Sequence, residues 1–289
     1  MPTKKEKDIF EAVGTTGHEW DGIKEFNNPL PKWWLYVFYA TVLFAVVYWI
    51  LFPAWPGLTG YTKGVLGWTQ HSRLADDLAE ARARQAQYLG RIEAATVDEI
   101  RADKALLDFA IAGGRVQFAE NCVPCHGAGG AGAKGYPNLA DDDWLWGGTP
   151  ADIAQTIRVG IRAEHPDTRY SEMPRFGTDE LLTQDQIADV AEHVLAISGG
   201  AADAAAAARG AEIYAQECAA CHGETGEGDT SQGAPRLSDA IWLHGGDRAT
   251  IVETITKARR GVMPAWGGRL DSATVKMLAV YVHALGGGQ

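Results

Sequence analysis

Residues 114–132 read GRVQFAENCVPCHGAGGAG, and the same pattern returns in residues 210–228 as GAEIYAQECAACHGETGEG. The landmarks that follow each cysteine pair come in the same order. First comes a Pro-x-Leu, starting at Pro137 and at Pro235, then a Trp-Leu-x-Gly-Gly, starting at Trp144 and at Trp242. A helical stretch, a Met-Pro (Met173-Pro174, Met263-Pro264) and a last amphipathic helix ending in glycine complete each copy. Ordered self-similarity of this kind means two copies of one unit. Residues 198–210, SGGAADAAAAARG, read as the Gly/Ala joint between them. The expected units are residues 112–198 and 210–289, with 199–209 as linker. Each has fewer than about 100 residues, a size at which a core often needs a cofactor or a staple.

All four cysteines, Cys122, Cys125, Cys218 and Cys221, lie in these two pairs, and His126 and His222 follow directly. Paired cysteines serve as disulfides, zinc ligands, thioredoxin-like centres or haem anchors. Zinc wants about four nitrogen or sulfur ligands, and no second CxxC or HxxxH follows either pair at finger distance. Thioredoxin-like chemistry wants a βαβ context, which is absent. CxxCH is the c-type haem pattern: cysteines three apart on a helical turn reach two edges of one porphyrin, and the adjacent histidine faces the iron. The expectation is two covalently attached haem c groups, one on Cys122, Cys125 and His126, the other on Cys218, Cys221 and His222. No cysteine is left for a disulfide. The glycine-rich run 127–135 is not a phosphate loop, because Lys134 is misplaced and is followed by Gly135 where a hydroxyl is needed.

For the sixth iron ligand the matched Met173 and Met263 are the candidates, since a thioether is a soft ligand that favours reduced iron. Met277, on the last helix, reads as core packing. Spacing leaves two pairings open: each methionine serves its own unit, or the two cross over. His193 overlays Tyr281 when the last helices are aligned, so it reads as an aromatic packing position. His165, His244 and His283 are weaker ligand alternatives, and His18 and His71 lie outside the repeats. Two six-coordinate irons would leave no open site, so the expected role is electron transfer with no catalytic residue. The protein would set potential through ligands, burial and hydrogen bonds.

Ahead of the repeats, residues 33–52 read WWLYVFYATVLFAVVYWILF, twenty residues without a charge. About 20 apolar helical residues cross a hydrocarbon core of about 30 Å. Trp33, Trp34 and Tyr36 crowd one end and Tyr48, Trp49 and Trp55 the other, as an aromatic belt requires. A cleaved signal peptide fits poorly, because the run is longer than the ~7–15 residues of an h-region and no small-residue cleavage site follows. Lys4, Lys5, Lys7, Lys24 and Lys32 precede the span and only Lys63 follows closely. The expected topology is therefore a single pass with residues 1–32 cytoplasmic and the haem units outside. Residues 53–111 are expected to be a linker and helical arm. Leu74, Leu78, Ala81, Tyr88 and Ile92 recur near helical spacing, and Glu80 can pair with Arg84. Thr96 to Glu99 forms a capping-box pattern for a second helix, which Gly113-Gly114 is expected to stop. The formal net charge of −11 argues against a nucleic-acid partner and suits a cationic protein partner.

The paired units resemble the class I cytochrome c fold, over about residues 112–198 and 205–286. That likeness implies that the Pro137 carbonyl accepts a hydrogen bond from His126, and Pro235 from His222. The amino-terminal text, TGHEWDGI at residues 16–23 and NPLPKWW at residues 28–34, narrows the resemblance. It is similar to the dihaem subunit of cbb3-type cytochrome c oxidases, the FixP/CcoP family. The implied architecture is all-α, with one transmembrane helix, a helical arm and two tandem class I cytochrome c domains in a bacterial inner membrane, haem domains periplasmic. The implied role is to pass electrons from a soluble or membrane-bound cytochrome c toward a haem–copper catalytic subunit, alongside a monohaem cytochrome c subunit. Two other classes fit the haem motifs: a free-standing membrane-tethered carrier, and a dihaem enzyme such as a peroxidase, which would need one displaceable ligand.

Overall fold

The computed structural model describes residues 14–287; Lys4, Lys5 and Lys7 of the orientation argument lie outside them. The chain clusters into two compact units that divide between Ala83 and Arg84.

In the first unit an antiparallel hairpin pairs β1 (Thr15–Trp20) with β2 (Ile23–Phe26). Asp21 and Gly22 both have positive φ, 50° and 81°, as a two-residue hairpin turn requires. The all-α expectation thus acquires one small strand pair. Helix α1 (Lys32–Leu51) follows, twenty residues with none buried, so the apolar span is legible almost to the residue. Its last carbonyls do not dangle. Val65 N–H donates to Ile50 O at 2.9 Å and Leu66 N–H to Leu51 O at 3.1 Å, so the following loop folds back as a cap. Gly64, at φ 71°, makes that approach possible, since a Cβ there would strike the Leu51 carbonyl.

Helix α2 (Gln70–Ala94) leads to α3 (Val97–Ala102), which opens on the expected capping box of Thr96 and Glu99. Asp103 then caps α4 (Lys104–Asn121). That helix runs through Gly113 and Gly114, which were expected to end it. Tertiary packing overrides the propensity cost of glycine here. A Cβ on Gly114 would meet the Met277 carbonyl, and Tyr281 Cβ at 2.7 Å. The glycines are where a second helix comes close.

After the one-turn helix α5 (Val123–His126) the order is α6 (Pro150–Val159), α7 (Gln184–Ile197), α8 (Ala204–Glu217), the one-turn α9 (Ala219–His222), α10 (Arg248–Lys257) and α11 (Ser272–His283). The expected linker 199–209 is mostly helix: Asp203 accepts from the N–H groups of Ala205 and Ala206, and α8 starts at once. Alanine is the best helix former and aspartate a good cap, so the Ala run extends the helix.

Two hydrophobic cores form, and neither is made from one repeat. In the first, Phe118 of α4 and Ile153 and Ile157 of α6 pack with Leu278, Val280 and Val282 of α11, the last helix of the chain. Ile92, Val97 and Ile100 join it, so the end of the presumed arm is core; Ile92 and Ile100 are fully buried. Lys276 of α11 fastens it, donating to Glu93 O and Ala95 O at 2.7 Å each. In the second core, Ile187, Val190 and Val194 of α7 pack with Tyr214 of α8 and Ile251 and Ile255 of α10. The closing helix of each repeat therefore completes the other repeat's core. The two tandem units thus exchange their closing helices, and the cause is visible: only residues 198–203 separate α7 from α8. A connection that short makes two helices antiparallel neighbours.

Candidate functional site

Each CxxCH sits where a long helix gives way to a single turn. Cys122 ends α4 and Cys218 ends α8, both in right-handed helical conformation, with α5 and α9 rising directly from them. His126 N–H donates to Cys122 O at 2.9 Å, and His222 N–H to Cys218 O at 3.0 Å. Gly127 and Gly223 then turn the chain at φ 74° and 79°. The loops return identically: Gly132 N–H reaches His126 O at 2.7 Å and Gly228 N–H reaches His222 O at 2.8 Å.

These loops deliver Pro137 and Pro235 to the imidazoles. His126 Nδ1 lies 3.1 Å from Pro137 O, and His222 Nδ1 lies 2.9 Å from Pro235 O. A carbonyl can only accept, so Nδ1 carries the proton in both rings and the Nε2 lone pair is free for a metal. Burial lowers the pKa of both histidines against the raising effect of that carbonyl, which keeps the ligand-competent neutral form. Burial pushes the Cys122 and Cys218 thiols up to about 11. Neither is a reactive thiolate at neutral pH, and neither is in a disulfide.

The donor set fits a haem at the second site. A cavity of about 500 Å³ is lined by Cys218, Cys221 and His222, by the apolar Val190, Val194 and Ile255, and by Met173. Its size is within the roughly 300–1,000 Å³ of cofactor clefts. Histidine, paired cysteines, thioether and apolar walls are what a covalently held haem needs. Met173 and Cys218 also both pack on the second core, while Met263 and Cys122 both pack on the first. Met263 is held by a reciprocal backbone pair with Ile161, both bonds at 3.0 Å. Each candidate methionine thus lies with the CxxCH of the opposite repeat, the pairing that spacing had left open.

Met277 and His193 have packing roles, whereas His244 lines the cavity. Met277 is 6% exposed in the first core. His193 packs against Tyr214 in a tilted pair with ring centroids 4.9 Å apart, matching Tyr281 against Phe118 at 5.3 Å. Sequence reading missed the charged groups around the cavity. Asp143 has its carboxyl pushed up to about 6, by burial first and then by Asp239 and Asp141, and Arg162, Arg259 and Arg260 border the same cavity.

An apolar helix long enough to cross a membrane, followed by helical cores built around CxxCH turns, defines a membrane-anchored c-type cytochrome. Comparison with known proteins makes this specific. Residues 12–59 match the model of the N-terminal domain of cytochrome oxidase-cbb3, FixP, and residues 109–194 and 205–282 match that of cytochrome c oxidase, cbb3-type, subunit III. The chain is 57% identical to the cbb3-type cytochrome c oxidase subunit CcoP of Azospirillum sp. (strain B510), over 98% of each chain. It is 53% identical to that of Cereibacter sphaeroides and 48% identical to subunit FixP of Bradyrhizobium diazoefficiens, over the full length of each. The chain belongs to the CcoP/FixP family of dihaem cbb3-type cytochrome c oxidase subunits, and its cytochrome c domains serve electron transfer with haem c.

Proposed function

We propose that this subunit holds two covalent haem c groups and relays electrons from a cytochrome c donor to the haem–copper catalytic subunit, without itself reacting with oxygen. The observation that carries this reading is the meeting of Cys218, Cys221 and His222 with Met173 around one cavity. The first core repeats it with Cys122 and Met263. The axial pairs are then His222 with Met173 and His126 with Met263. Haem iron supplies the one-electron chemistry. The chain does the rest. Pro137 and Pro235 fix the histidine tautomers, the cysteines anchor the edges, and each methionine closes the sixth side. Lys24 and Lys32 before α1 support a cytoplasmic amino terminus with both repeats periplasmic at the bacterial inner membrane. A monohaem cytochrome c subunit and a soluble or membrane-bound cytochrome c are the proposed neighbours, the latter drawn by the acidic surface.

The test compares Met173→Leu and Met263→Leu in the purified full-length protein. Pyridine haemochrome assay should give two haems per chain in both. Met173→Leu should lower the potential of the haem on His222, and Met263→Leu that of the haem on His126, as assigned in chains carrying one CxxCH. Native potentials in both variants would overturn the axial assignment. A chain left colourless by acid-acetone denaturation would overturn the cofactor. Strong carbon monoxide binding to the reduced native chain would point instead to a peroxidase-like site.

A further inference from the structure

One side chain holds the backbone just ahead of both methionines. Arg162 Nε donates to Gly261 O at 2.7 Å, and Arg162 Nη1 donates to Ser171 O at 3.1 Å. Gly261 lies two residues before Met263 and Ser171 two residues before Met173, so a single guanidinium grips the two methionine loops at matching points.

We propose that Arg162 is a shared positioning residue, which fixes both methionine loops at once and so sets the sixth-ligand geometry of the two haem sites jointly. The proposal rests on the axial reading above. Three features around the grip support it. Ile161, the preceding residue, makes the reciprocal backbone pair with Met263, so loop 261–263 is held by backbone and side chain together. Beside it Arg260 forms an ion pair at 2.7 Å with Glu172, the residue between Ser171 and Met173, which ties the loops a second time. Arg162 itself has φ 52°, a left-handed conformation that a side chain adopts only when its surroundings hold it there. Arg260, its counterpart in the repeat, is not among the positive-φ residues. In the second repeat the left-handed non-glycine residue is instead Ala258, at φ 49°, so the two matching segments turn at different positions. The planar fork of arginine suits two carbonyls in different directions, whereas an ammonium is a point donor on a flexible stem.

The sulfur–iron charge-transfer band of the ferric full-length protein reads methionine ligation directly. Arg162→Gln, made in Met173→Leu and separately in Met263→Leu backgrounds, reports the two loops one at a time. The expected result is a fall of the remaining band to less than half in each background, with both haems still attached. Arg260→Gln, which removes the second tie and spares the grip, should lower each band by less than Arg162→Gln does. Arg162→Lys keeps the charge and should show the same paired loss, and it serves where the glutamine variant does not assemble. Bands intact in Arg162→Lys, or loss confined to one background, would overturn the proposal. Absence of the band from the wild-type protein would sink the axial reading instead.

Discussion

At the scale of single residues, Glu192 shows how the fold spends charge. It is 7% exposed on α7, yet it is ionised, because it accepts from the Arg248 guanidinium and from Asp203 N–H at 2.7 Å. The Arg248 bond first, and the Asp203 amide second, lower its pKa from 4.5 to about 2 against the opposing effect of burial. A depressed folded-state pKa stabilises the fold above the unfolded value and loses that contribution as pH falls through the folded one. Acid titration should therefore loosen the α7–α8–α10 core from about pH 4.5 downward, nearing completion around pH 2. Glu192→Gln should remove that part of the pH dependence, and unfolding curves of both proteins between pH 2 and 6 check it. Identical slopes would mean that the carboxylate is not the titrating group.

At the scale of elements, the critical object is the crossing of α4 and α11. Gly114 sits where the Met277 carbonyl and Tyr281 Cβ press in, and one turn on Phe118 meets Tyr281. The second core repeats the device: Gly210 of α8 lies under the Asp189 carbonyl of α7, and Arg209 and Asp189 pair across the same crossing. Gly114→Ala would raise helix propensity by about 1 kcal/mol on an open helix. Here the added methyl must displace backbone, and overpacking costs roughly 1–3 kcal/mol. We expect net destabilisation of the first haem site, seen as a lower denaturation midpoint. Gly90→Ala is the control, since a Cβ there meets nothing within 4 Å, and it should be neutral or stabilising.

At the scale of the whole molecule, exchanged closing helices bind the repeats into one object. The carboxy-terminal half supplies α11 and Met263 to the first core, and the amino-terminal half supplies α7 and Met173 to the second. A protease site placed in residues 198–203 should therefore cut the chain without separating it. The fragment carrying α8 to α11, with the one haem on Cys218 and Cys221, should stay in the membrane fraction and leave only under denaturation. Its release as a soluble cytochrome would mean that each repeat closes on itself. The arrangement also suits electron transfer, because two sites that share their closing helices keep a fixed separation.

Local chemistry was sufficient for much of this. The CxxCH pairs, the apolar span, the capping box at Thr96 and the aromatic position of His193 are short-range patterns, each set by what neighbouring residues can do. The Asp21-Gly22 hairpin was equally readable and went unread. What the sequence could not decide is which helix closes which core. The two repeats offer similar apolar faces, so either pairing satisfies the hydrophobic pattern. The six-residue joint at 198–203 decides it by keeping α7 beside α8, and the glycine clearances at Gly114 and Gly210 then admit the exchanged helices; both act only once distant segments share one space. Residue pattern determined that this chain has the haem c motifs; three-dimensional packing alone decided which core each Met-Pro loop packs on.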